Sequence, residues 1–107
     1  MTLNQLIEVT KVSDLNDSFR ERGFNVLLTG GVRSVNDLNG LMEAIRDYNN
    51  FNEDNDPWLE HDFGKLEWNG DSIFWKIDCC NEEMTEWGDP LSPQCHRVMT
   101  VMLANEY

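Results

Sequence analysis

The sequence predicts an α+β fold: two helices packed on one face of a small antiparallel sheet, in the order α-β-α-β-β-β, as a single domain over residues 1–107. Three observations predict it. Apolar residues recur at helical spacing in the first half of the chain, and an Asn-Gly turn joins two alternating segments in the second. A length of 107 residues suffices for one core and not for two.

The elements follow in order. Thr2 and Gln5 form a capping box. Leu3, Ile7, Leu15 and Phe19 recur at multiples of four with Leu6 and Val12 beside them, and Gly23 is a stop, which predicts a helix within 3–22. Thr10 and Val12 weaken it near 10–13, where Ser13 offers a second start. "FNVLLT" (24–29) reads as a strand, and the glycines at 30–31 as a turn. Ser34, with Asp37 three residues on, caps a second helix whose apolar stripe is Leu38, Leu41, Met42 and Ile45, extended by Tyr48. Residues 52–64 form an irregular loop punctuated by Pro57 and Gly64. "KLEW" (65–68) and "SIFWKIDCC" (72–80) flank "NGD" and alternate apolar with polar, the pattern of a hairpin with one packed face. Residues 81–95 form a second loop, marked by Pro90 and Pro93. "HRVMTVMLA" (96–104) reads as strand or helix; β-branching at Val98, Thr100 and Val101 favours a third antiparallel strand. An exposed edge ending in "MLANEY" would permit pairing with a second copy, a homodimer.

Charge is the next informative feature. Twenty acids against eight Lys and Arg give a formal net charge of −12. Such a chain is repelled by nucleic-acid phosphates and by membrane surfaces, so neither is an expected direct partner. The excess is not uniform. Residues 1–52 carry seven acids and five bases, residues 53–89 twelve acids and two bases, and residues 90–107 one of each. The middle third also holds all four tryptophans, Trp58, Trp68, Trp75 and Trp87. The N-terminus "MTLNQLIEVTK" has no basic region followed by an apolar core, and no apolar run approaches the ~20 residues needed to span a bilayer. Of three cysteines, Cys79 and Cys80 are adjacent. The reading is reduced thiols and a cytoplasmic location.

The stretches "LNDSFR" (15–20), "LTGGV" (28–32), "NDPWLEHDFG" (55–64), "FWKID" (74–78) and "RVMTVMLANEY" (97–107) together resemble a small bacterial family of unknown function carried on plasmids, integrating elements and phages. The resemblance implies a setting, mobile DNA, and supplies no catalytic residues. It also implies two aromatics in place of Cys79 and Cys80, which argues against essential roles for those thiols.

Four chemistries are candidates. Asp54, Asp56, Glu60, His61 and Asp62 are hard and borderline metal ligands, but their spacing matches neither an EF-hand loop nor a helical His pair, so no metal or other cofactor is expected. His61 lies between Glu60 and Asp62, and a small metal- or His-dependent hydrolase centred on "EHD" is one alternative. Against it, neighbours in sequence point different ways and no nucleophile, base and orienter form a set, so the reading is not an enzyme. "TGGVRS" (29–34) precedes a helix as a phosphate cradle does, yet it lacks the P-loop lysine and spacing. Finally, the two acidic loops interleave carboxylates with tryptophans, and this suits a basic surface on another macromolecule, where charge steers encounter and aromatics supply buried contact. The expected contact residues are Glu53, Asp54, Asp56, Trp58 and Glu60 on one wall and Glu82, Glu83, Glu86 and Trp87 on the other. The function read from the sequence is an acidic inhibitor from a mobile element, blocking a nucleic-acid-binding surface of a host defence complex in the manner of anti-CRISPR or anti-restriction proteins. A non-catalytic partner of the element's own DNA-processing protein would use the same surface.

Overall fold

Gln5 N donates to Thr2 Oγ1 (3.2 Å) and Thr2 N to Gln5 Oε1 (2.7 Å), closing the capping box that starts helix α1, Leu3–Arg22. The computed structural model describes residues 2–23 and 25–107. α1 runs unbroken through the weak stretch, because Thr10 and Ser13 turn their hydroxyls back to the Leu6 and Thr10 carbonyls (2.9 Å each). Gly23 ends it at φ 73°, a left-handed conformation that glycine adopts without strain.

Most of the apolar stripe expected on α1 does not face the core, although Phe19 packs against it. Leu3 is 73 % exposed, and Leu6, Ile7 and Leu15 are exposed with it. The buried positions are Val12, Ser13, Asn16 and Arg20, so the helix docks largely through polar side chains. The reason is geometric. With 3.6 residues per turn, each four-residue step advances roughly 40° around the helix, so positions 3, 7, 15 and 19 spiral away from one another.

Four strands form one sheet: β1 (Val26–Leu28), β2 (Phe63–Trp68), β3 (Asp71–Cys80) and β4 (His96–Leu103). Phe24, within the expected first strand, lies outside the described residues. The hairpin is where "NG" places it, with Asn69 and Gly70 both at positive φ (50° and 91°), as a tight two-residue turn requires. The spatial order is β1-β4-β3-β2. β2, β3 and β4 are antiparallel, but β1 runs parallel to β4, pairing Val26 with Met99 and Leu28 with Val101. The sheet is therefore mixed rather than wholly antiparallel. β4 is also interior, with β3 on one side and β1 along Met99–Val101 on the other, so it is not the edge strand expected to end in "MLANEY".

Between β1 and β2 lie two corrections. The glycines at 30–31 open a one-turn helix, α2 (Gly30–Arg33), which Ser34 terminates. The cap of the next helix, α3 (Leu38–Arg46), is Asp37 rather than Ser34; its Oδ1 accepts from Gly40 N (3.1 Å). The element order is thus α-β-α-α-β-β-β, closed by a 3₁₀ turn at Ala104–Glu106. The α+β class stands.

The core forms where the period-2 face of the sheet meets these helices. Ile73, Trp75 and Ile77 on β3, with Met99 and Val101 on β4, pack against Leu41 and Ile45 of α3, Val32 of α2 and Tyr48. Trp75 is fully buried under Gly64, where any Cβ would collide with its indole. Among the described residues no helix is long and apolar enough to cross a membrane.

The anion site imagined at "TGGVRS" is filled from within. The Glu106 carboxylate accepts from Thr29 Oγ1 (2.6 Å), Leu103 N (2.8 Å) and Gly31 N (3.2 Å). These bonds, that of Thr29 foremost, hold Glu106 below the ordinary glutamate range. An acid depressed in the folded state stabilises above its unfolded pKa, and that contribution is lost as pH falls through the folded one. Glu106→Gln should therefore lower the melting temperature at pH 7, and the difference from wild type should shrink below about pH 4. Melting curves of both proteins across this range provide the check.

Candidate functional site

The polar face of α1 determines where the two acidic loops sit. Asn16 is buried, and its amide does two things. Nδ2 donates to the Glu60 carbonyl (2.8 Å), holding the first loop. Oδ1 accepts from Arg97 Nε (2.7 Å), and Arg97 Nη2 donates to the Pro90 carbonyl (2.6 Å), holding the second. Burial pushes the Arg97 guanidinium below its ordinary range.

The loops so held enclose a cleft of about 310 Å³, with Glu60 and Asp62 on one side, Trp87, Gly88 and Pro90 on the other, and Asp78 and Cys79 between them. Its carboxylates are crowded. Burial raises Glu60 above the ordinary glutamate range, and repulsion from Asp62 and then Asp56 adds to it. Asp62 is raised as well, chiefly by burial; a hydrogen bond from its own N–H opposes this, Asp56 and Asp78 reinforce it, and His61 offsets part. The cleft is thus a place where negative charge is held at a cost that a docked cation would relieve.

Nearby, His61 is a strut. Nδ1 lies 2.9 Å from Asp17 Oδ2, Nε2 lies 3.5 Å from Asp56 Oδ2, and the ring stacks on Phe51 at 3.9 Å and 1°. Asp56 is only 3 % exposed, and its Oδ1 accepts from Glu60 N (3.0 Å) and His61 N (3.1 Å). Asp17 in turn pairs with Arg20 (3.0 Å), which donates to the Tyr48 carbonyl (3.0 Å) and lies against the Phe51 and Trp75 rings. A chain of charges and aromatics therefore ties α1 to the "EHD" segment.

The expected contact residues divide accordingly. Glu53, Asp54, Glu82, Glu83 and Glu86 are exposed, as are Trp58 (74 %) and Trp87 (73 %), while Glu60 is half-buried in the cleft. Asp56 is turned inward and drops out of the surface, because its carboxylate caps the loop's own N–H groups. Of the expected set, Glu60 and Trp87 share the cleft; Glu82 and Glu83 border a neighbouring depression with Cys80 and Cys95. Asn16, Asp62, Asp78 and Arg97 were missed as site residues. Charge density in 53–89 pointed to Asp62 and Asp78, but nothing local marked Asn16 or Arg97. Of the proposed metal ligands, no group of three converges among the described residues.

The cysteines also differ from the reading of three reduced thiols. Cys79 and Cys95 are joined, with Cα atoms 5.7 Å apart, and Cys80 is free. Adjacent strand residues face opposite ways, so Cys79 cannot meet Cys80, whereas the returning chain sets Cys95 beside it.

A family model described as "Protein of unknown function (DUF3768)" matches residues 22–106, leaving α1 outside all but its last residue. No curated protein and no solved structure matches.

Two outcomes follow from this geometry. His61→Ala leaves Asp17 and Asp56 without their shared partner and should cost about 2 kcal/mol in denaturant unfolding. Asp62→Asn should do the reverse. A carboxyl raised in the folded state weakens the fold while ionised, and that penalty disappears as pH falls through the raised pKa. The substitution should stabilise by on the order of 0.5 kcal/mol at pH 7, given partial solvation, with the gain shrinking as pH falls through the raised pKa and vanishing below about pH 3.

Proposed function

The chain belongs to the DUF3768 family, and from that premise we propose a function resting on its surface chemistry: it is a non-catalytic inhibitor that seats its acidic loops on the basic face of a nucleic-acid-binding protein. The observation that carries this reading is the cleft in which Glu60, Asp62 and Asp78 gather beside the exposed Trp87. Carboxylates raised by burial and mutual repulsion gain most from a cation that enters among them. A lysine or arginine side chain fits that role, its charge meeting the carboxylates and its stem or guanidinium lying on the indole. Trp58, with Glu53 and Asp54 on the first loop and Glu82, Glu83 and Glu86 on the second, is exposed as well and would add to the contact with a basic partner. Clustered charge acts at close approach even where salt screens beyond ~8 Å.

The partner's chemistry follows from the same charges. A Lys/Arg-rich channel that holds DNA or RNA is the natural complement, and a carboxylate surface seated there excludes the nucleic acid. Carriage on a mobile element, implied by the resemblance of "NDPWLEHDFG" and its companion stretches, makes a host defence complex of the anti-CRISPR or anti-restriction type the favoured target. The element's own DNA-processing protein is the alternative target for the same surface.

The hydrolase reading centred on His61 has less support. Nδ1 is held by the Asp17 carboxylate and Nε2 lies 3.5 Å from Asp56 Oδ2 without a hydrogen bond to it, so the ring sits between two of the chain's own carboxylates rather than beside a nucleophile. The open depression of about 590 Å³ beside the ring is lined by Asp17, Arg20, Arg46 and Tyr48 among others and carries no serine, threonine or cysteine.

Affinity for an arginine-rich peptide should fall steeply between 50 and 300 mM salt, on the order of tenfold or more. Trp87→Ala should weaken it by about 1–2 kcal/mol, and Glu60→Lys by more, with the fold intact by circular dichroism. Isothermal titration gives these values; a complex insensitive to salt and to Glu60→Lys overturns the proposal.

A further inference from the structure

We propose that the Cys79–Cys95 bond is a redox-controlled clamp on the acidic cleft, holding the Trp87 wall in place when oxidised and releasing it when reduced; this rests on the reading of the cleft as a protein-binding surface. Three observations converge. Cys79 is both one end of the bond and part of the cleft lining, beside Trp87, Glu60 and Asp62. Cys95 is the last residue before β4, so the bond spans the loop that carries Glu82, Glu83, Glu86 and Trp87. The loop's other ties are few, and several converge on the same two cysteines: Gly88 N donates to the Cys79 carbonyl (3.1 Å), and Trp87 forms an isolated bridge with Cys80. Arg97 to the Pro90 carbonyl is a further tie to the rest of the molecule, while the remaining hydrogen bonds, such as Asn81 N to the Glu86 carbonyl (2.9 Å) and Thr85 N to Asn81 Oδ1 (2.9 Å), lie within the loop itself.

The loop contributes little to the core. Met84, Trp87 and Leu91 are all exposed, so it has no apolar anchor and belongs to the low-stability end of the molecule. The sheet, by contrast, does not depend on the bond. β3 and β4 pair Cys79 with Arg97 and Cys80 with His96 whether or not the sulfurs are joined. Reduction therefore loosens the Trp87 wall and leaves the fold standing. Both sulfur-bearing residues are half-buried at the surface, within reach of a small reductant.

The chemistry is thiol–disulfide exchange. One thiolate of a small dithiol attacks a sulfur of the Cys79–Cys95 bond, which breaks and releases the other cysteine as a thiol after protonation; the reductant's second thiolate then attacks the reductant's own first sulfur, closing its disulfide and expelling the remaining protein cysteine as a thiolate that takes up a proton. Two electrons and two protons pass to the protein, giving the Cys79 and Cys95 thiols, and the reductant leaves as its own disulfide.

The full chain, prepared oxidised in air and reduced with a dithiol, would be compared by hydrogen exchange and by titration with an arginine-rich peptide. Oxidised protein should show one free thiol and reduced protein three. In the reduced form, exchange in 81–94 should speed up while β3 and β4 stay protected, and peptide affinity should fall about tenfold. Cys79→Ser with Cys95→Ser should behave as the reduced form under both conditions, and Cys80→Ser should keep the switch. Three free thiols in the air-oxidised protein, or identical exchange in 81–94 in both states, overturn the clamp. Should neither form bind the peptide, the proposed function fails, and the exchange data alone decide whether the clamp stands.

Discussion

One buried amide, that of Asn16, ties the two acidic loops to helix α1 and to each other. Its nitrogen holds the loop that ends in "EHDFG", and its oxygen holds Arg97, which holds the loop before β4. A buried amide must satisfy both ends or lose the cost of desolvating them, so the two loops are positioned together or not at all. α1 thus acts less as a core element than as a polar brace. Its contribution to the apolar core is small, and its contribution to loop placement runs through Asn16, Asp17 and Arg20.

The same brace explains how so acidic a surface is tolerated. Glu60 and Asp62 of the first loop and Asp78 of β3 line the cleft, where Glu60 and Asp62 are held above their ordinary ranges. The backbone shares in the strain: Leu59, His61 and Met84 adopt positive φ (58°, 55° and 61°) without being glycine, and all three lie in the acidic loops. A fold optimised for stability alone would spread its carboxylates and relax these residues. The cleft carboxylates lie instead beside an exposed tryptophan, Trp87, and the binding proposed above rests on that placement. In the scaffold beneath, Trp75, Ile73, Val101 and Leu41 are fully buried.

Local signals in the chain were read accurately where one physical cause dominated. The "NG" hairpin, the Thr2 capping box, the Gly23 stop and the alternation of Ile73, Trp75 and Ile77 each depend on neighbours within a few residues. Readings failed where distant segments compete. Asp37 displaced Ser34 as the cap of α3, because the chain spends residues 30–33 on an extra helical turn whose N–H groups Glu106 satisfies from the far end of the sequence. The stripe on α1 failed because hydrophobic spacing counts residues and not the face that a polar network selects.

Composition and periodicity by themselves determined the α+β class, the hairpin, the core strand β3 and the concentration of acids with tryptophans in 53–89, since each is a property of short windows. Only the tertiary structure decided that β1 runs parallel to β4, that β4 is interior, that Cys95 meets Cys79, and that Asp56 turns inward while Asp62 and Asp78 join Glu60. These all depend on which remote segments come within a few ångströms. That choice is made by the whole core and the buried polar groups around Asn16, not by any stretch of sequence alone.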